Sequence, residues 1–163
     1  MPKLLVVREE IQVDAPIERC FQLSTQVEIV QEILGMRPVR GRTSGRVRQG
    51  DTVRWQGWQL GLPQMHESLI DACDPPHFFR DSMIAGRFAE FQHDHRFLQS
   101  HQGRVLMQDE VRFAMPWAGL GAVIGRLILA PHIRRLMRKR FAHLKQLAEG
   151  DGWRSYLLSS REA

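Results

Sequence analysis

Apolar and polar positions follow two different periods along this chain. A period of two dominates the middle, and a helical spacing dominates the end. Residues 3–13 alternate in part and are rich in β-branched side chains, which predicts a strand. Asp14-Ala15-Pro16 then predicts a helix start, with Asp14 as cap and Pro16 in the first turn. Ile17, Cys20, Phe21 and Leu23 form the buried side of that short helix. Ser24 or Thr25 is the expected cap of a second helix, whose stripe is Val27, Val30, Ile33 and Leu34 and whose end is Gly35. From Arg37 the texture changes to strands over 38–43, 52–60, 65–73 and 78–84, with turns at Gln49-Gly50-Asp51 and Asp74-Pro75-Pro76. Strict alternation places Trp55 and Trp58 on opposite faces, and Gly57 between them is a candidate bulge that would bring both to one side.

The clearest alternation lies in 88–97 and 105–113, joined by a turn at 100–103. Phe91, His93, His95 and Phe97 share one face of the first strand, and Val105, Met107, Asp109, Val111 and Phe113 share one face of the second. Two histidines and an aspartate therefore point into an apolar surface, where ionisable groups are costly unless paired.

The tail 118–149 is helical, with two apolar sides. Before Pro131 the side runs through Leu120, Val123, Ile124 and Leu127; after it, through Ile133, Leu136, Met137, Phe141, Leu144 and Ala148. On a 3.6-residue wheel the two are out of phase by roughly a third of a turn. Pro131 also lacks the N–H that a helix needs. A kink, or two helices, is expected with the break near 129–132. The order is one strand, two short helices, six strands and a long helix. This predicts an α+β fold: a curved antiparallel sheet of about seven strands, with a kinked C-terminal helix laid over it and space for a cavity between them.

Composition narrows the function. The 163 residues suit a single domain spanning 1–163, and no internal repeat or low-complexity linker divides them. With 43% hydrophobic and 25% charged residues the chain has the composition of a soluble globular protein. Its formal charge of +5 favours anionic partners. Cys20 and Cys73 lie far apart and make neither a disulfide framework nor a thiolate zinc motif. The start is too short in apolar residues for a signal peptide, and 114–130 falls short of the roughly 20 residues that span a bilayer. A cytoplasmic, reduced protein is expected.

Candidate chemistry centres on His95 and Asp109. If the hairpin keeps both apolar sets on one face, Asp109 sits opposite His95, fixes its tautomer and favours its protonated form. Such a pair is either an orienting dyad, with His95 as general base, or a satisfied structural pair. His93 and His95 have a spacing that can present two imidazoles to one metal; Asp94 points to the other face, and Asp109 and His66 are the possible further ligands, so no metal is expected. Asp81 and Glu67 have Arg80 and Arg140 as possible partners, with Arg140 at the edge of the last helix's apolar side. Trp55, Phe91, Phe97, Met107 and Phe113 supply surface that could line a pocket. Arg126, Arg134, Arg135, Arg138, Lys139, Arg140 and Lys145 make the last helix basic, a pattern suited to an anionic membrane surface or to solvent. Phosphate loops, dinucleotide fingerprints, nucleophile elbows and nucleic-acid modules are absent, and no cofactor or nucleic-acid partner is expected.

The opening Ile11-Gln12-Val13-Asp14-Ala15-Pro16-Ile17-Glu18-Arg19-Cys20-Phe21, with the runs Asp74-Pro75-Pro76-His77-Phe78-Phe79-Arg80-Asp81, Gly86-Arg87-Phe88, His93-Asp94-His95-Arg96-Phe97 and Asp109-Glu110-Val111, resembles the START-like (SRPBCC) superfamily of polyketide cyclase/dehydrase-like proteins. Arg87 stands where many such chains have proline. The resemblance covers nearly the whole chain and implies the helix-grip fold. It further implies binding of a hydrophobic small molecule or lipid, oriented by His93, His95 and Asp109, under a helix gated by Gly119, Gly121, Gly125 and Pro131. The alternatives are a cyclase/dehydrase-type enzyme using His95 and Asp109, and a membrane-associated regulatory module.

Overall fold

The computed structural model describes residues 2–158. Strand β1 (Leu5–Val13) is followed by helices α1 (Ile17–Ser24) and α2 (Val27–Leu34). Six further strands follow: β2 (Arg37–Gly41), β3 (Thr52–Gln59), β4 (Leu62–Asp74), β5 (Phe78–Ala85), β6 (Glu90–Gln99) and β7 (Val105–Ala114). All seven join one antiparallel sheet in the order β1-β7-β6-β5-β4-β3-β2. Each strand from β2 to β7 pairs with its chain neighbour, and β1 closes on β7. Two irregularities in β4 against β5, at Glu67/Ser68 and Ile70/Ala72, and one in β2 mark where the pairing shifts. After the long C-terminal helix comes a short one (Trp153–Leu157), which no apolar period announces; Arg19 stacks on Trp153 at 4.3 Å and ties it to α1.

The helix caps differ from expectation. Pro16 and Gln26 occupy the N-cap positions of α1 and α2 and make no side-chain cap bond. Asp14 instead donates its backbone N–H to Glu149 across the fold. Gly35 does end α2, in the left-handed conformation (φ 63°) that glycine adopts without strain. Gly57 marks no bulge: β3 pairs with β4 without interruption, so Trp55 is buried and Trp58 lies on the opposite face, 66% exposed. A Cβ at Gly57 would fall 2.9 Å from Met36 Cγ, so close approach of the chain after α2 is what requires glycine there.

The C-terminal helix is continuous but changes its hydrogen bonding. α3 (Ala118–Ile124) leads into a π-helical turn (Gly125–Leu129), then α4 (Ala130–Glu149). Ala130 N–H bonds to Gly125 O, five residues back. One extra residue in a helix rotates everything after it by about 100°, which is the phase shift seen in the apolar pattern. The interruption therefore falls immediately before Pro131, which occupies the first turn of α4. The expected apolar side of α3 is not buried. Gly121 and Gly125 face the sheet instead, where Cβ atoms would meet Met115 Cβ at 2.9 Å and Leu5 Cδ1 at 2.7 Å. These glycines bring the helix close to the sheet.

Three apolar clusters fill the core. The largest joins α1, β5, β6, β7 and α4 through Phe21, Phe79, Phe97, Met107, Phe141 and Leu144. A second joins Val7, Val111, Phe113, Ile133 and Met137. A third sets Trp55 and Val53 against Val27 and Met36. Burying each such side chain stabilises the fold by about 1.5–3 kcal/mol. The outer face of the sheet is charged: Glu110 pairs with Arg8 and Arg112, and Asp94 with Arg80 and Arg96.

Candidate functional site

Between the two larger clusters, the centre of the inner sheet face is polar. The register sets His95 opposite Asp109 across β6 and β7, and His93 opposite Asp81 across β5 and β6. Alternation then turns all four side chains toward α4. From α4, Ile133, Met137, Leu144 and Ala148 form the buried stripe, and Arg140 occupies its middle position, three residues after Met137 and four before Leu144. The arginine is thereby aimed at the sheet. It is 7% exposed, and it is neither a surface nor a snorkelling side chain.

Asp109 gathers these groups. Arg140 Nη1 donates to its Oδ2 at 2.6 Å, His93 Nε2 donates to the same oxygen at 3.1 Å, and His95 Nδ1 donates to Oδ1 at 3.1 Å. An ionised carboxylate only accepts, so the imidazole nitrogens facing it carry protons. In the neutral form of an imidazole the other nitrogen, here Nδ1 of His93 and Nε2 of His95, carries the lone pair. The two rings lie 3.8 Å apart, and His95 stacks on Phe79 at 4.1 Å.

Charge states follow from this packing. Burial alone would raise the Asp109 carboxyl, but Arg140, then His95 and His93, hold it well below the ordinary carboxylate range. His95 departs from expectation. Burial pushes it down to about 3, with His93 and Arg140 acting the same way, and the attraction of Asp109 does not compensate. The ring is therefore neutral at physiological pH, although the facing carboxylate by itself favours the imidazolium. For Asp81 burial raises the carboxyl, and His93, His66 and Arg140 offset this only in part. Asp81 Oδ1 and Arg140 Nη2 are both enclosed, and neither has a hydrogen-bond partner among the described residues.

Toward α3 the inner face opens. His66, Met83, Phe88 and Phe91 are partly exposed although they lie on the concave side. His66 meets the Phe91 ring edge-on at 5.1 Å, and Phe88 and Phe91 are 5.0 Å apart. Burial lowers the His66 imidazole, and Asp81 opposes this. An aromatic patch thus adjoins the polar centre.

Of the residues singled out from the sequence, His93, His95 and Asp109 come together as one hydrogen-bonded unit, and Phe91 lines the open patch. Phe97, Met107, Phe113 and Trp55 are packed inside the apolar clusters, at 6% exposure or less. Arg80 turns outward to Asp94 and serves neither expected carboxylate, and Glu67 pairs with Arg54 instead. The sequence reading missed Asp81 as a member of the site and Arg140 as the partner of Asp109. For Asp81 the signal was present: Phe79, Asp81 and Met83 alternate as an inner face. A surface hollow of about 420 Å³ is bordered by Arg8, Glu10, Arg96, Asp109 and Glu110, and one of about 540 Å³ by Glu28, Glu32 and Arg37.

A curved seven-stranded antiparallel sheet gripping a long C-terminal helix, with two short helices after the first strand, is a helix-grip architecture. Solved structures bear this out. The di-domain ARO/CYC protein BexL of the BE-7585A biosynthetic pathway matches at TM-score 0.72 and 17% identity, over 90% of this chain and 50% of that one. TTHA0849 from Thermus thermophilus matches at TM-score 0.64 and 17% identity, over 86% and 97% of the two chains. Norcoclaurine synthase from Thalictrum flavum, solved with dopamine and hydroxybenzaldehyde, matches at TM-score 0.64 and 12% identity, over 88% and 87%. At these identities the likeness establishes the fold. No sequence-family profile and no curated protein matches the chain.

Proposed function

We propose that the protein binds a small, largely apolar molecule on the inner sheet face beneath the C-terminal helix. The observation that carries this is Arg140 Nη2, an enclosed donor with no partner among the described residues, under an inner sheet face that also carries the partly open rings of Phe88, Phe91 and His66. A buried donor left unpaired costs about 1–3 kcal/mol or more. A ligand with an apolar body and one carbonyl or hydroxyl oxygen would satisfy it and cover the rings. Norcoclaurine synthase, of the same fold, has been solved with two aromatic molecules bound, which supports a ligand of this kind. Acid–base catalysis by His95 is the weaker reading, because a base works best with a pKa near the working pH and burial has pushed His95 far below it.

Native mass spectrometry of the freshly purified protein, with solvent extraction, tests the proposal. Wild type is expected to carry an apolar adduct, and Phe91→Arg, which places a charge on the patch, to lose it. A clean mass, with no thermal stabilisation by a panel of aromatic ketones and aldehydes, overturns it.

A second reading concerns the outside of the same helix. Leu120, Val123, Leu127 and Ile128 are between 52% and 68% exposed and flank Arg126. Such a face suits an anionic lipid surface from which an apolar ligand could be loaded. Flotation with phosphatidylserine vesicles should show salt-sensitive binding that Leu120→Gln with Leu127→Gln abolishes; equal flotation of the two proteins removes this reading.

A further inference from the structure

The apolar ligand proposed above has no use for the imidazole lone pairs that face away from Asp109. Asp81, His93 and His95 each offer a ligand atom, and these atoms all lie within 4.8 Å of one another. They come from neighbouring strands, with Asp81 and His93 in direct register, so the backbone holds their spacing. Two imidazoles and one carboxylate form a donor set used for Zn²⁺ and other divalent transition ions, with at least one position left free for water or substrate.

The surroundings match what such a set requires. Imidazole ligands bind through the lone pair while the opposite N–H is held by a carboxylate, which fixes tautomer and ring orientation. Asp109 does this for both rings at once, at 3.1 Å each, and Arg140 holds Asp109 ionised in turn. A dication would also meet the enclosed Oδ1 of Asp81, which has no hydrogen-bond partner among the described residues. Water answers the arrangement less well, since its two protons cannot serve three acceptors and bring no charge. His93, with a side chain 14% exposed, gives the cluster a route to solvent. We propose that Asp81, His93 and His95 form a binding site for a divalent transition-metal ion, with Asp109 as the orienting carboxylate behind both histidines. This goes beyond the apolar-ligand reading and stands without it.

Metal alone is the probe. Protein stripped with chelator and desalted is titrated with Co²⁺, followed by its visible absorption, and with Zn²⁺ by calorimetry. One equivalent is expected, with the visible band of a low-coordinate Co²⁺ ion and displacement by Zn²⁺. Asp81→Asn keeps the side-chain shape and replaces the carboxyl group with a neutral amide. Its thermal midpoint should equal or exceed that of metal-free wild type, while its affinity falls at least about 100-fold, the upper range for losing even an outer-shell partner. His101→Ala with His143→Ala, which removes histidines outside the cluster, should bind as wild type does. Absence of stoichiometric binding by folded wild type overturns the proposal. So does binding that survives Asp81→Asn, or that disappears with His101 and His143. Retention of an apolar adduct by Asp81→Asn would leave the ligand reading standing while the metal is lost, so the two fail separately.

Discussion

Acid should weaken this fold through one identifiable side chain. His95 has an ordinary imidazole value of 6.5 when unfolded and about 3 when folded, because burial, His93 and Arg140 disfavour its charge. Between those values the unfolded chain binds a proton that the folded chain refuses, so stability rises with pH across that window and is lost as pH falls below 6.5. The slope is about 1.4 kcal/mol per pH unit where the two states differ by one proton, which gives a loss of about 2.5 kcal/mol from pH 7 to pH 4.5. Asp109 adds nothing in that range: its folded value is depressed, so its contribution persists until pH falls below 3.8. His66 acts in the same direction as His95, and Asp81, with its raised carboxyl, acts against both. A comparison with His95→Asn separates them, since the asparagine amide can donate to Asp109 Oδ1 in place of Nδ1–H but does not titrate. Urea unfolding followed by tryptophan fluorescence, in metal-free buffer with chelator, gives the free energies. The gap between the two proteins should move by about 2.5 kcal/mol in favour of the variant on going from pH 7 to pH 4.5, or about 1 M in midpoint. Parallel pH profiles, agreeing within about 0.5 kcal/mol, would refute the claim that the fold holds His95 neutral.

Two further substitutions probe the frame around the site. Arg140→Met should cost about 3–5 kcal/mol by leaving Asp109 with an unmatched buried charge, and adding Asp109→Leu should recover part of that loss, as read from urea midpoints. Gly41 and Gly50 both have positive φ, at 79° and 88°, but a Cβ at Gly41 would fall 2.1 Å from the Thr52 backbone oxygen, whereas one at Gly50 would meet open space. Gly41→Ala should therefore lower the thermal midpoint more than Gly50→Ala, whose cost is the backbone strain of about 1 kcal/mol.

How much of this was legible in the chain depends on the range of the interaction. Seven strands, two short helices and the long helix follow from local periods and turn residues, and the phase slip around Pro131 marked the π turn because one inserted residue rotates a helix by about 100°. Caps were less legible, since Pro16 and Gln26 hold positions that Asp14 and Thr25 suited equally well on chemistry alone. His95 and Asp109 could be paired from alternation within one hairpin. The expected imidazolium failed because burial dominates, and the enclosure depends on groups remote in sequence such as the stacked Phe79 and Arg140, with His93 two residues away acting the same way. Alternation showed where the side chains point, but not how little water would reach them.

The composition of the inner face carries its own argument. Replacing a buried ion pair with apolar side chains of similar volume is often neutral or stabilising, so such pairs are poor devices for stability. Here one carboxylate is shared by a guanidinium and two imidazoles, and a second carboxylate, Asp81, is enclosed without a partner for Oδ1 among the described residues. Apolar clusters on both sides already supply the packing. Apolar side chains in place of Asp109 and Arg140 together would extend them, whereas loss of Asp109 alone would leave Arg140 an unmatched buried charge. The polar centre thus carries a free-energy cost that packing does not explain. Its unused bonding capacity among the described residues is a donor on Arg140 and an acceptor on Asp81. Those two groups have opposite requirements, an acceptor for the first and a cation or donor for the second, so the proposed apolar molecule and the proposed metal ion would answer different groups.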